Sequence, residues 1–307
     1  MIGKTRQKHS AEVVEEYDAE VGKARGILRR PMAAGKLWHS RRQPSPDLAP
    51  WIAHYWSIKW DLRGCAPQTV ESLPHPNVHL IFEEAKAVVS GVQQRRFSRV
   101  LENQSKVFGI KFQPGGFRPF FNAPVSALAN RTISAKSIFG NDVEKLAAIV
   151  LSARKDDRKM EAANAFFHAR MPKPDKSADL ARQLVNRVLQ QPEIKTVEDL
   201  AEKAGIGKRS LQRIFDEYVG ASPKWVIRRY RLHELIERFN AGDSLDWPQV
   251  ALELGYFDQA HLINDFKSIV GYSPTQYQRE VLKKSRESGR RTNSSRRRGP
   301  GRAPPMR

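Results

Sequence analysis

The 307-residue chain has a single cysteine, Cys65, too few for a disulfide framework or for a zinc site built on paired cysteines. It has no run of about 18 apolar residues, so no segment reads as a membrane-spanning helix. The opening stretch MIGKTRQKHSAEVVEEYDAEV lacks the apolar core of a secretion signal. There is no Gly-rich phosphate loop, and Ser72, Ser98 and Ser134 lie in no nucleophile motif. Acidic residues are also scarce, 33 against 53 Lys and Arg, for a net charge of +20. The expectation is a cytoplasmic, nucleoid-associated chain that is not an enzyme, carries no cofactor and seeks a polyanion. At about 100–200 residues per domain, its length predicts two domains.

The charge is unevenly spread. Residues 281–307 hold ten Lys and Arg and one acidic residue, whereas 178–280 hold fourteen basic and fifteen acidic residues. The remainder, 1–177, carries a net +12. The stretch 283–307 is rich in Arg, Ser, Gly and Pro and poor in apolar residues, so it reads as a disordered basic tail. Such an arm attracts phosphates without regard to sequence.

What the chain does contain is a repeat. Ala201, Gly205, Leu211, Phe215, Gly220 and Pro223 are followed by Ala251, Gly255, Leu262, Phe266, Gly271 and Pro274, and four of the five intervals agree. Each copy reads as helix, tight turn, helix. In the first, Thr196 and Asp199 form a capping-box pattern, Gly205 ends the helix, and Leu211, Ile214, Phe215 and Tyr218 or Val219 supply the inner stripe of a second helix from about Lys208 to Tyr218. In the second, Asp246 and Asp258 cap, Gly255 turns, and Leu262, Ile263, Phe266 and Ile269 are the apolar positions. Two helices joined by a Gly-containing turn are the helix-turn-helix arrangement, whose second helix enters a DNA major groove. Between the copies, Ser222-Pro223 opens a linker helix with the stripe Leu232, Leu235, Ile236 and Phe239. At roughly 18 residues it spans about 27 Å. That length suits two recognition helices in successive major grooves, about 34 Å apart.

The segment ALELGYFDQAHLINDFKSIVGYSPTQYQR resembles the C-terminal signature of AraC/XylS-type transcription regulators, at Ala251, Gly255, Tyr256, Asp258, His261, Leu262, Asn264, Phe266, Lys267, Gly271, Ser273, Pro274 and Tyr277. The first copy is similar to that family's first helix-turn-helix, notably over Ser210-Leu211-Gln212-Arg213 and at Phe215. The resemblance covers 178–280 and implies an all-α, seven-helix domain that binds DNA through two helix-turn-helix units. On the first recognition helix Lys208, Arg209, Gln212 and Arg213 lie off the apolar stripe, and Arg209, Gln212 and Arg213 match the family's base-contacting places. Arg and Lys suit guanine edges and Gln suits adenine. On the second, the candidates are Gln259, Ala260, His261 and Asn264. These are weaker: Ala260 offers one methyl, Asp265 nearby would repel phosphate, and His261 reads as a packing residue ahead of a base reader. The first unit is therefore expected to carry most of the base readout, with Lys208-Arg209-Arg213 and Arg228-Arg229-Arg231 as local basic patches.

Residues 26–172 read as a separate β-rich, barrel-like domain with trailing helices. WIAHYWSIKW alternates with Ile52, His54, Trp56, Ile58 and Trp60 on one face, and TVESL, NVHLIF, AVVSG and VFGIKF are further short strands. Gln113-Pro114-Gly115-Gly116 breaks the pattern, Phe117, Phe120 and Phe121 open a helical or irregular segment, and helices are expected near 141–152 and 156–171. SPDLAPWIAHYW, LPHPNVHLIFE, RFSR and VFGIKFQPGGFRPF resemble the sensor-like region found ahead of such DNA-binding modules. That likeness implies an architecture and leaves the ligand unknown. Residues 1–25 are expected to be a flexible extension, and MPKPDKSAD (171–179) the domain boundary. His54, His75, His79 and Glu83 are the metal-like group, but Pro74 and Pro76 disfavour the helix that a His-x3-His pair needs, so no metal is expected.

The fold expected is thus α+β and multidomain, with the β-rich half followed by an all-α domain of two helix-turn-helix units joined by a linker helix. The function expected is that of a bacterial, sequence-specific transcription regulator controlled by a small-molecule effector or by oligomerisation. Its expected partners are double-stranded DNA, RNA polymerase and a second copy of the chain, with no membrane. Two other readings compete: a regulator with a metal-dependent enzymatic N-terminal half, and a non-specific architectural nucleic-acid binder using the arginine tail.

Overall fold

The computed structural model describes residues 12–22, 26–29, 35–241 and 245–279. The basic tail at 283–307 and residues 1–11 lie outside the described residues. The chain divides into two compact units, 1–233 and 234–307. This boundary is not the one expected at 171–179: the first helix-turn-helix belongs to the same unit as the β-rich half.

The first unit begins with ten strands: β1 Glu12–Tyr17, β2 Ile27–Arg29, β3 Lys36–Arg42, β4 Ile52–Asp61, β5 Gln68–Ser72, β6 His79–Glu83, β7 Lys86–Ser90, β8 Phe97–Leu101, β9 Gln104–Phe112 and β10 Thr132–Ser134. They form two sheets, seven-stranded in the order β1-β3-β4-β9-β6-β7-β10 and three-stranded in the order β2-β5-β8. Residues 12–17, expected in a flexible extension, instead pair in parallel with β3 from Glu12↔Lys36 to Tyr17↔Arg41. Neighbouring charges hold this edge: Glu16 pairs with Arg42 at 2.7 Å and Glu12 with Lys36 at 3.3 Å.

Both faces of the larger sheet are covered. Tyr55 on β4, Phe108, Ile110 and Phe112 on β9, and Leu80 and Phe82 on β6 pack with the helices α1 Lys136–Phe139, α2 Asp142–Ser152 and α3 Asp156–His168. An aromatic cluster of Phe112, Phe117, Phe120, Phe139, Phe166 and Phe167 fills that layer, mostly edge to face. On the opposite face Trp60, Val107, Trp56, Ile58 and Ile81 pack with Val70 and Leu101 of the smaller sheet. The layers are therefore helix, sheet, sheet.

One expectation about β4 needs correction. A register shift between Ile52 and His54 breaks the alternation, so Ile52 joins Tyr55 in the helix-facing core while His54, Trp56, Ile58 and Trp60 face the other way. Ser57 is buried too, because Asp156 at the start of α3 accepts hydrogen bonds from Ser57 Oγ at 3.0 Å, Lys159 Nζ at 2.7 Å and Ser40 Oγ. Burial raises the Asp156 carboxyl, but the donors Lys159 and Ser40 outweigh it and hold the group below its ordinary value.

The helices of the first unit continue with α4 Lys176–Gln190, α5 Val197–Ala204 and α6 Lys208–Ile214, and α7 Pro223–Ala241 runs across the unit boundary. Gly115 (φ +83°) is where α4 crosses: a β-carbon there would lie 2.6 Å from the Ala178 carbonyl oxygen. Arg118 donates through Nε to Glu217 at 2.6 Å, and Trp225 Nε1 donates to the Gln94 carbonyl at 3.2 Å. These non-local contacts join what the Pro- and Lys-rich segment at 171–179 appeared to separate.

Candidate nucleic-acid interface

In the first unit, α5 starts as the sequence predicts. Asp199 N donates to Thr196 Oγ1 at 3.0 Å, and Asp199 Oδ2 accepts from Thr196 N at 2.8 Å, the two halves of a capping box. Gly205 closes the helix at φ 66°, in the left-handed region. After the turn, α6 buries Leu211, and a π turn over Phe215–Val219 buries Phe215 and Val219. The expected plain α-helix to Tyr218 therefore widens in its last turn, with Gly220 N donating to Phe215 O at 2.8 Å.

That burial decides which side chains are free. Lys208, Arg209, Gln212 and Arg213 are all exposed on the face opposite Leu211 and Phe215. Arg209 and Arg213 make no ion pair among the described residues, whereas Lys208 is tied back to Glu198 on α5. Such exposed pairs are weak, and a phosphate can displace the carboxylate.

The second patch, Arg228-Arg229-Arg231, does not survive. Arg229 is 1% exposed, and its Nε donates to the Pro74 carbonyl at 2.8 Å. Arg228 and Arg231 are half-buried. Helical geometry turned Arg229 inward, which a count of consecutive arginines could not reveal.

In the second unit, α8 Trp247–Glu253 and α9 Gln259–Val270 repeat the construction. Gly255 (φ 73°) turns the chain, and Asp258 caps α9 by accepting from His261 N at 2.7 Å. Leu262, Phe266, Ile269 and Val270 are buried, with Phe266 edge-on to Phe239 at 6.1 Å. Gln259, Ala260, His261 and Asn264 are exposed. His261 also sets its ring edge-on to the buried Tyr256, centroids 5.1 Å apart, so it packs and faces solvent together. Asp265, expected to repel phosphate, is buried at 7% exposure and presents little charge outward. A residue missed from the sequence is Phe257, 89% exposed in the turn just before α9. A large apolar residue standing free between Gly255 and Asp258 was the available signal.

His54, His75 and His79 do not form a metal site with Glu83. The Glu83 carboxylate is paired with Arg99, and no group of three or more His, Cys, Asp or Glu side chains among the described residues could hold a metal ion. No described helix is long and apolar enough to cross a membrane.

Two known families match parts of the chain. Residues 200–280 match the family described as helix-turn-helix domain, and residues 40–134 match a domain of unknown function, DUF6597. The helix-turn-helix match thus falls on the C-terminal module, the part whose sequence resembles AraC-type regulators. An uncharacterized HTH-type transcriptional regulator of Haemophilus influenzae is 33% identical over 95 residues, 31% of this chain. The chain covers only about a third of that relative's length, 32%. Among solved structures, the C-terminal domain of AraT, a response regulator from Geobacillus stearothermophilus, covers 34% of this chain and 88% of its own at 22% identity and a TM-score of 0.31. ToxT from Vibrio cholerae covers 68% and 88% at 12% identity and a TM-score of 0.36.

Proposed function

We propose that this chain is a sequence-specific DNA-binding transcription regulator in which α6 and α9 are the recognition helices, entering successive major grooves. The observation that carries the reading is the division of faces on each helix. Leu211 and Phe215, or Leu262 and Phe266, are buried, and the opposite face presents only side chains able to contact bases or phosphates. Arg209 and Arg213 read guanine edges and Gln212 reads adenine, while Lys208 holds a phosphate. On α9, Gln259 and Asn264 supply the hydrogen bonds, and Ala260 and His261 a smaller contact. The regulator works in the bacterial cytoplasm on the nucleoid and acts on RNA polymerase, with a small molecule or a second copy of the chain setting its activity through the β-rich half.

Selection from a random DNA pool tests this. A specific regulator enriches a defined motif and prefers it over unrelated DNA by about 10³-fold or more at physiological salt. Equal affinity for all duplexes would leave the chain a charge-driven, non-specific binder.

A further inference from the structure

Two lysines face each other on the helix-covered side of the larger sheet. The register sets Lys59 of β4 opposite Lys106 of β9, and Trp38 of β3 opposite Lys59 on its other flank. By strand alternation all three share the face of Ser57 and Phe108. Lys59 Nζ lies over the Trp38 ring, 4.9 Å from its centroid, and Lys106 is half-buried. Like charges directly opposite on neighbouring strands disfavour the pairing. Lys159 of α3 is a third cation nearby, but Asp156 engages it at 2.7 Å. No carboxylate among the described residues pairs with Lys59 or Lys106. Burial first, then the charges of Lys159 and Lys59, hold the Lys106 ammonium below its ordinary value.

These lysines line a groove of about 1350 Å³ between α2 and the sheet. Strand order puts Trp38, Lys59 and Lys106 toward one end, on β3, β4 and β9, and Ala87 and Ile133 toward the other, on β7 and β10. Val143, Ala147 and Leu151, one turn apart on α2, form the apolar wall. The other charges of the lining are matched. Arg63 pairs with Asp61 at 2.6 Å and Lys136 with Glu144 at 3.1 Å, while Glu84 and Lys86, one of each sign, flank the β6–β7 turn. A concave site whose apolar lining supplies affinity and whose few polar groups fix orientation suits a small organic ligand. Here those polar groups are two cations, so the complementary ligand is an anion with an apolar body.

We propose that this groove binds an organic carboxylate with an apolar body, its headgroup between Lys59 and Lys106 and its body along Ala87, Ile133 and the wall of α2. The headgroup separates the two ammonium groups and relieves their repulsion, and the body covers apolar side chains that the helix layer leaves partly open. The inference rests on the ligand-control part of the function proposed above and names the ligand's chemistry and its seat.

The test is titration calorimetry on the full chain, with octanoate and phenylbutyrate as probes. Acetate and octanol are the controls, one lacking the body and the other the charge. At least one probe binds saturably, and both controls bind more weakly by about tenfold or more. Lys106→Met weakens the probe by about ten- to hundredfold, because it removes a charge-assisted hydrogen bond. Ala148→Trp, at an exposed position of α2 that lines the groove, fills the space, leaves both lysines in place and abolishes binding. Should Lys106→Met not fold, Lys59→Met is read in the same way. Binding that survives either substitution at wild-type strength, octanol binding as tightly as octanoate, or no binding of either probe overturns the proposal. DNA affinity is measured in parallel without these probes: specific DNA binding with no probe bound sinks this inference alone, and the reverse sinks the regulator reading alone.

Discussion

The two helix-turn-helix copies are built alike and equipped differently. Both end their first helix on a left-handed glycine, Gly205 or Gly255, and both bury a Leu and a Phe four residues apart. Yet α6 presents to solvent two arginines that make no ion pair among the described residues, while α9 presents no arginine and hides Asp265. The first copy is also packed within the β-rich unit, and the second forms the core of its own. The lesson is that a repeat conserves the scaffold positions, which packing dictates, and frees the outward ones to take separate jobs. If both helices meet DNA as proposed, charge-assisted reading would fall to the first copy and neutral reading to the second.

The strongest way to break the comparison is through stability. Phe215→Ala and Phe266→Ala each remove a fully buried ring and should cost about 3–5 kcal/mol. If the copies belong to separate units, calorimetry shows Phe266→Ala lowering one transition and Phe215→Ala the other. Both variants depressing a single shared transition would remove the distinction. Next in size is DNA affinity. Arg213→Ala should cost about 1–3 kcal/mol, roughly 10- to 100-fold, at a selected site, and Asn264→Ala should cost less. A larger loss from Asn264→Ala would reverse the assignment of readout. Smaller again is the capping box: Thr196→Ala should lower the stability of the first unit by about 1 kcal/mol in chemical denaturation and leave the second unit unchanged. The smallest effect is expected from removing residues 283–307. This should weaken all duplexes evenly and flatten the salt dependence of binding, and a change in the preferred sequence would count against a purely electrostatic arm.

Much of the helical architecture was legible because its signals are local. Thr196 with Asp199, Gly205, Gly220 and Gly271 announce helix ends through backbone chemistry that acts within a few residues. The exposed faces of α6 and α9 followed directly from where Leu211 and Leu262 had to point. The β-rich half was harder to read. The hairpin between β6 and β7 turns through Glu84 and Ala85, both at positive φ (47° and 62°), although neither residue favours that conformation. Strand β1 is polar and pairs with a partner more than twenty residues away, so no short window contained its evidence. The inward turn of Arg229 and of Asp265 was hidden for a related reason: each is polar by composition and buried by its tertiary neighbours.

Gly220 carries a consequence of another kind. A β-carbon there would come within 2.8 Å of Val125 Cγ1 and 3.0 Å of the Val125 carbonyl oxygen. The stop signal of the first recognition segment is thus also a seam against the short 3-10 helix at Val125–Leu128. Recombination that exchanged the DNA-binding module of such a chain at the apparent linker would pair this seam with a foreign surface. Inheritance of the module is therefore tied to inheritance of residues 113–128, and a graft that keeps specificity must carry both.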